Sequence, residues 1–177
     1  MGDLAQRLPF FATRLAESYA DVGTLPLRVI LHDVRSLYNV GAFFRTADAV
    51  GLDRVCLSGI TGRPPHREIS KTALGAEEHV GWEACPDVVS YLGQLRSQEY
   101  EIVAIETCVH AVDLFDWCPR FPVAVLFGNE ADGLPPDLLA RCDTYVRIPM
   151  RGFKHSLNVA TAGGVVLYEL LRKYREL

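Results

Sequence analysis

Apolar residues along this chain fall into short runs separated by polar, glycine-bearing or proline-bearing segments. Pro26–Leu31 (PLRVIL), Arg54–Leu57, Glu101–Glu106 (EIVAIE), Val123–Phe127 (VAVLF) and Tyr145–Ile148 are rich in Val, Ile and Leu. Continuous apolar runs of this length predict strands covered on both faces. His79–Trp82 predicts a further short edge strand. Helical spacing occupies the intervals 10–20, 39–50, 86–97, 135–141 and 156–175. Asn39 is the expected N-cap of the second helix and Asp87 starts the third behind Pro86. Pro135 and Pro136 open the fourth, and Ser156 caps the last. Strands alternating with helices predict an α/β domain over residues 1–177, with a mostly parallel sheet flanked by helices.

Composition narrows the class. The 177 residues are 49% hydrophobic and 23% charged, as in an ordinary soluble domain. No apolar run approaches the ~18–20 residues of a membrane span. The opening MGDLAQRLPF lacks the basic-then-apolar order of a signal peptide, so a cytoplasmic protein with no membrane partner is expected. Cys56, Cys85, Cys108, Cys118 and Cys142 are odd in number, widely spaced and without a C-x-x-C. They predict reduced thiols rather than a disulfide framework. His32, His66, His79, His110 and His155 show no i, i+3 or i, i+4 pairing, so no metal is expected.

Ligands of parallel sheets sit beyond the carboxyl ends of strands, which directs attention to the loops there. The loop after Leu31 has no G-x-G-x-x-G, so a dinucleotide fingerprint is missing. Gly128–Gly133 has P-loop spacing, but Leu134-Pro135 replace the Lys-Ser/Thr that would hold phosphate and magnesium. Glu130 and Asp132 would also repel phosphate, which excludes triphosphate hydrolysis. No G-x-S-x-G elbow supports an esterase.

The net charge of −4 argues at first against a nucleic-acid partner. Its distribution reverses that inference. Arg147–His155 carries +3 and Gly62–Lys71 carries +2, and removing these five from −4 leaves −9 on the remainder. Fifteen of the 18 cations are arginine, which suits bidentate phosphate recognition. Gly163-Gly164, inside the last helical pattern, costs about 2 kcal/mol against alanine and predicts close packing there by another helix or a second subunit.

Three segments stand out as an ordered set. They are Asn39-Val-Gly41 with Arg45-Thr-Ala47, then Phe127-Gly-Asn-Glu130-Ala-Asp-Gly133-Leu, then Ile148-Pro-Met150-Arg-Gly152 with Ser156-Leu-Asn158-Val. In order and spacing they resemble the three motifs of the SpoU/TrmH family, RNA ribose 2′-O-methyltransferases of the SPOUT class that use S-adenosyl-L-methionine (AdoMet). The resemblance runs from Leu27 to Tyr168. It implies a SPOUT fold with a deep trefoil knot over about residues 121–177, and a homodimer with its active site near the interface. It implies a cofactor pocket formed by Leu126, Phe127, Gly128, Asn129, Ile148, Met150, Ser156, Leu157 and Asn158. Arg45 is implied as the central catalytic residue, supported by Asn39, Glu130, Ser156 and Asn158.

A guanidinium with a pKa above about 12 is a poor resting base. Arg45 is therefore read as a phosphate anchor and alkoxide stabiliser, with deprotonation by Arg45 itself left open. Only about 25 residues, with a short helical pattern, precede the first strand. RNA binding then falls on loops of the catalytic domain, through Arg35, Arg63, Arg67, Lys71, Arg151 and Lys154, with tRNA favoured over rRNA. The alternative is a catalytically idle RNA-binding homologue or assembly factor.

Overall fold

The computed structural model describes residues 24–177; the amino-terminal helix expected over 10–20 lies outside the described residues. All strand pairings are parallel. The strands are β1 (Leu25–His32), β2 (Leu52–Ser58), β3 (Trp82–Cys85), β4 (Glu101–Ile105), β5 (Val112–Asp113), β6 (Val123–Phe127) and β7 (Thr144–Arg147). They form one sheet in the order β3-β2-β1-β6-β4-β7-β5. The helices are α1 (Leu37–Val50), α2 (Arg67–Ala73), α3 (Val88–Ser97), α4 (Pro136–Leu139) and α5 (Val159–Tyr174).

Every residue of β6 is buried, because both sheet faces are covered. Val123, Val125 and Phe127 point into a core shared with Phe43 and Phe44 of α1 and Val166, Leu167 and Leu170 of α5. Ala124 and Leu126 point the other way, toward Leu92 and Leu95 of α3 and Leu138 of α4. The Phe43 and Phe127 rings meet edge to face at 5.0 Å, which ties α1 to the central strand. A Cβ on Gly163 would stand 2.3 Å from the Phe43 ring, so the close packing predicted there comes from α1. Its neighbour Gly164 has nothing within 4 Å.

Several local expectations shift. Ser36, not Asn39, caps α1, its hydroxyl accepting from the Asn39 N–H at 3.3 Å. Asn39 stands inside the first turn with its side chain free to reach elsewhere. Asn158, not Ser156, caps α5, so that helix starts at Val159. Asp87 does cap α3. The edge strand is Trp82–Cys85, three residues later than the pattern predicts. Helix α2 and the two-residue β5 are additions. Helix α2 is only 7 residues long and β5 only 2, too short for a periodic pattern to reveal them.

Strand β1 lies between β2 and β6, where successive connections leave in opposite directions. A crevice is expected beyond the carboxyl ends at such a point.

Candidate active site

The loop after β6 is built to present one carboxylate. A Cβ on Gly128 would stand 2.3 Å from the Gly133 carbonyl carbon, so only glycine lets the loop close so tightly. Asn129 and Gly133 close it with paired backbone bonds of 3.1 and 2.9 Å. The Asn129 Oδ1 accepts from the N–H groups of Ala131 and Asp132, and its Nδ2 donates to the Asp33 carbonyl at 2.9 Å. Glu130 then projects toward the start of α1. Its carboxylate accepts from the N–H groups of Arg35 and Ser36, both at 3.1 Å, and from Asn39 Nδ2 at 3.0 Å.

Asn39 continues the chain of bonds. Its Oδ1 accepts from Asn158 Nδ2 at 3.1 Å. Asn158 Oδ1 in turn accepts from Ala160 and Thr161 N–H at the head of α5. One relay, Glu130–Asn39–Asn158, therefore joins all three sequence motifs across 119 residues of chain. Desolvation pushes the Glu130 carboxyl up, but donation from Arg35, Asn39 and Ser36 outweighs it and holds the group below the usual carboxylate range.

Beside this relay lies a cleft of about 260 Å³, at the carboxyl ends of β4, β6 and β7. Phe127, Gly128, Asn129, Glu130, Ile148, Met150, Ser156, Leu157 and Asn158 line it. Met150 and Leu157 are 36% and 38% exposed, so part of its wall is apolar surface open to solvent. The Ser156 side chain has no hydrogen-bond partner among the described residues, so its hydroxyl is available within the cleft.

Other expected residues stand elsewhere. Leu126 is fully buried with its side chain in the α3-facing core, so it does not line the cleft. Arg45 is exposed on α1, six residues past Asn39, and does not line it either. Six residues amount to about 9 Å along a helix and a different face. Arg35 lies 3.8 Å from Asp132. Arg147, counted in the basic loop, is tied at 2.6 Å to Asp113, which leaves Arg151 and Lys154 as that loop's charges without a carboxylate partner among the described residues.

The cleft also contains residues that the sequence reading passes over: Glu106, Thr107 and His155. Glu106 accepts from Thr107 N–H at 2.9 Å and Leu134 N–H at 3.1 Å. Thr107 Oγ1 donates to the His155 carbonyl at 3.4 Å. The signal was available, since Glu106 directly follows β4 and the strand-end rule applies to that strand as to the others.

A profile of the SpoU rRNA methylase family matches residues 26–168. The chain belongs to that family. It is 34% identical to the 23S rRNA (guanosine-2′-O-)-methyltransferase RlmB of Xylella fastidiosa over 85% of this chain and 60% of that protein. Its fold superimposes on the A. aeolicus TrmH/SpoU tRNA modifying enzyme with a TM-score of 0.79 and 28% identity. That match covers 86% of this chain and 77% of the other. The AdoMet-bound rRNA methyltransferase of Sinorhizobium meliloti matches with a TM-score of 0.74 at 30% identity, over 85% of this chain and 60% of that one. The chain spans about three-fifths of the length of the curated relatives it matches first. In this chain the relay joins the three motif segments identified from the sequence, and those segments supply much of the cleft lining.

Proposed function

We propose that the chain transfers a methyl group from AdoMet to a ribose 2′-hydroxyl in RNA. The observation that carries this reading is the relay joining the three family motifs at the rim of a strand-end cleft. Relatives named as RNA 2′-O-methyltransferases and an AdoMet-bound neighbour support it. The cleft suits the cofactor. Its apolar wall of Phe127, Ile148, Met150 and Leu157 would hold the adenine, and Glu106 offers acceptor oxygens for ribose hydroxyls. Glu106 and Glu130 also make the cleft hospitable to a sulfonium cation, while the one lining guanidinium, Arg147, is neutralised by Asp113.

Bound there, the cofactor supplies an activated methyl group for in-line displacement, so positioning provides much of the rate. The protein's residues divide that work. Glu130 is ionised, yet three donors already occupy its carboxylate, so it acts as a brace for the head of α1 rather than as the base. Asn39 and Asn158 each keep one amide hydrogen beyond the relay with which to orient substrate. The uncommitted Ser156 hydroxyl contacts cofactor or ribose. Arg45 anchors the phosphate and stabilises the developing alkoxide.

Because Arg45 lies off its own chain's cleft, the reading includes a homodimer in which a second copy brings Arg45 to the site. Exposed Tyr168 and the open Gly164 on α5 support such a contact. The reading also includes a knotted carboxy-terminal segment over about 121–177 and no metal. tRNA is the first RNA to test, with rRNA second.

The deciding experiment is transfer of labelled methyl from AdoMet to tRNA and rRNA pools by the wild type and by Arg45→Ala. Methylated ribose with the wild type and at least a hundredfold loss with Arg45→Ala is expected, as for removal of one transition-state donor. Cofactor binding without methylation of either pool overturns the reading.

A further inference from the structure

Beside Asn39 lies a surface that none of these roles uses. Tyr38, in the first turn of α1, is 45% exposed. The Lys71 ammonium sits 5.7 Å from its ring centroid and donates to its hydroxyl at 3.4 Å. The pair is rigidly placed relative to the relay, because α1 and α2 touch through backbone. A Cβ on Gly41 would stand 2.3 Å from the Ile69 carbonyl oxygen and 2.1 Å from Thr72 Oγ1. Thr72 Oγ1 also donates to the Tyr38 carbonyl at 2.9 Å. Helix α2 therefore cannot drift from α1 without breaking that clasp.

The cations here differ from several others in the molecule. Arg28, Arg54, Arg96, Arg147 and Arg172 each sit within 4.0 Å of a carboxylate. Arg63, Arg67 and Lys71 do not, among the described residues. Arg67 and Lys71 are four residues apart and so share one exposed face of α2. An exposed phenol ring beside a row of unpaired cations has the two parts of a single-strand nucleic-acid site: a stacking surface and a phosphate track. A duplex hides its base faces within the stack, so only an unpaired nucleotide could lie on such a ring.

We propose that Tyr38 is the stacking platform for a nucleobase flanking the modified nucleotide, with Lys71, Arg67 and Arg63 holding phosphates on that side. The α1–α2 clasp thus selects RNA presented as an unpaired loop. This rests on the RNA reading above. Tyr38 adjoins Asn39 in the chain, with Cα atoms about 3.8 Å apart, so base and ribose would be gripped from one helix turn.

The test is binding of a labelled single-stranded oligoribonucleotide, and of a fully paired duplex of the same sequence, to the full chain at several salt concentrations. Tyr38→Ala is expected to bind the single strand about tenfold more weakly with an unchanged salt slope, and the duplex as before. Tyr38→Phe keeps the stacking face and the affinity. Lys71→Ala lowers the salt slope by about 0.7. Unchanged single-strand binding by Tyr38→Ala overturns the proposal, and so does an equal loss on the duplex. A change of oligomeric state in Tyr38→Ala, measured by sedimentation, also overturns it, since the ring would then belong to a contact between copies. Failure of the wild type to bind any RNA is a separate result and defeats the RNA reading itself.

Discussion

Two glutamates perform the same chemistry at opposite ends of the sheet. Glu101, at the amino end of β4, is 4% exposed and accepts from Arg120 N–H at 2.7 Å, Thr144 Oγ1 at 2.8 Å and Trp117 Nε1 at 3.4 Å. Glu130, beyond the carboxyl end of β6, lies in solvent and accepts from Arg35, Ser36 and Asn39. Each carboxylate gathers three donors from distant segments. Burial separates their consequences. Around Glu101 water cannot replace a lost acceptor, so its bonds hold the fold. Around Glu130 water can, so its bonds chiefly set the geometry of the cleft rim.

The comparison breaks if the two variants behave alike. Glu101→Ala strands three donors, at least one of them in the interior, and should cost about 3 kcal/mol. A urea titration measures it, and AdoMet affinity per folded molecule should be unchanged. Glu130→Gln should lower methyl transfer about a hundredfold, as expected for a displaced catalytic constellation. Its stability cost should stay below about 1 kcal/mol because the site is solvated. A large loss of stability in Glu130→Gln with full activity would reverse the assignment.

The glycine pair sharpens the same contrast between interior and surface. Gly163→Ala must push on the Phe43 ring and should destabilise by about 1–3 kcal/mol. Gly164→Ala meets nothing within 4 Å among the described residues and should stabilise the isolated chain by up to about 1 kcal/mol through helix propensity. Thermal melts of the two variants decide it.

The smallest effect is in pH. The Glu130 carboxyl is depressed in the folded protein, so its contribution to stability is fully present above the ordinary glutamate pKa of about 4.3 and is lost as pH falls through its lower folded value. The stability gap between wild type and Glu130→Gln should therefore be flat from about pH 5.5 to 8 and narrow below about pH 4. A gap that changes near neutrality would show that Glu130 is not the titrating brace described.

Much of this architecture is legible in the amino-acid sequence. The five strong strands were readable because parallel strands covered on both faces must be apolar at nearly every position, as in VAVLF. Asp87 was readable as a cap because capping is a local bond between neighbours. Asn39 and Ser156 read as caps from the sequence but do not cap, for a related reason. Ser36 and Asn158 are equally good capping residues, and only the distant partners of Asn39 decide which residue starts α1. The basic stretch 62–71 reads as a loop, and helix α2, which begins inside it, becomes visible only through its clasp on α1.

The α/β class, the central strands, the three motif segments and the concentration of cations at strand ends are written in the amino-acid sequence. The class, strands and cation clusters follow from composition and local periodicity, and the motif segments from their resemblance to a known family, all of which the chain carries whatever its path. Which of those residues act together is set by the tertiary structure. It joined Glu130, Asn39 and Asn158, set Arg45 off its own cleft, buried the Leu126 side chain and brought in Glu106. It also neutralised Arg147 with Asp113 while leaving Arg63, Arg67 and Lys71 without a carboxylate partner among the described residues. Such pairings depend on strand order and on contacts across about a hundred residues, and no local pattern encodes them.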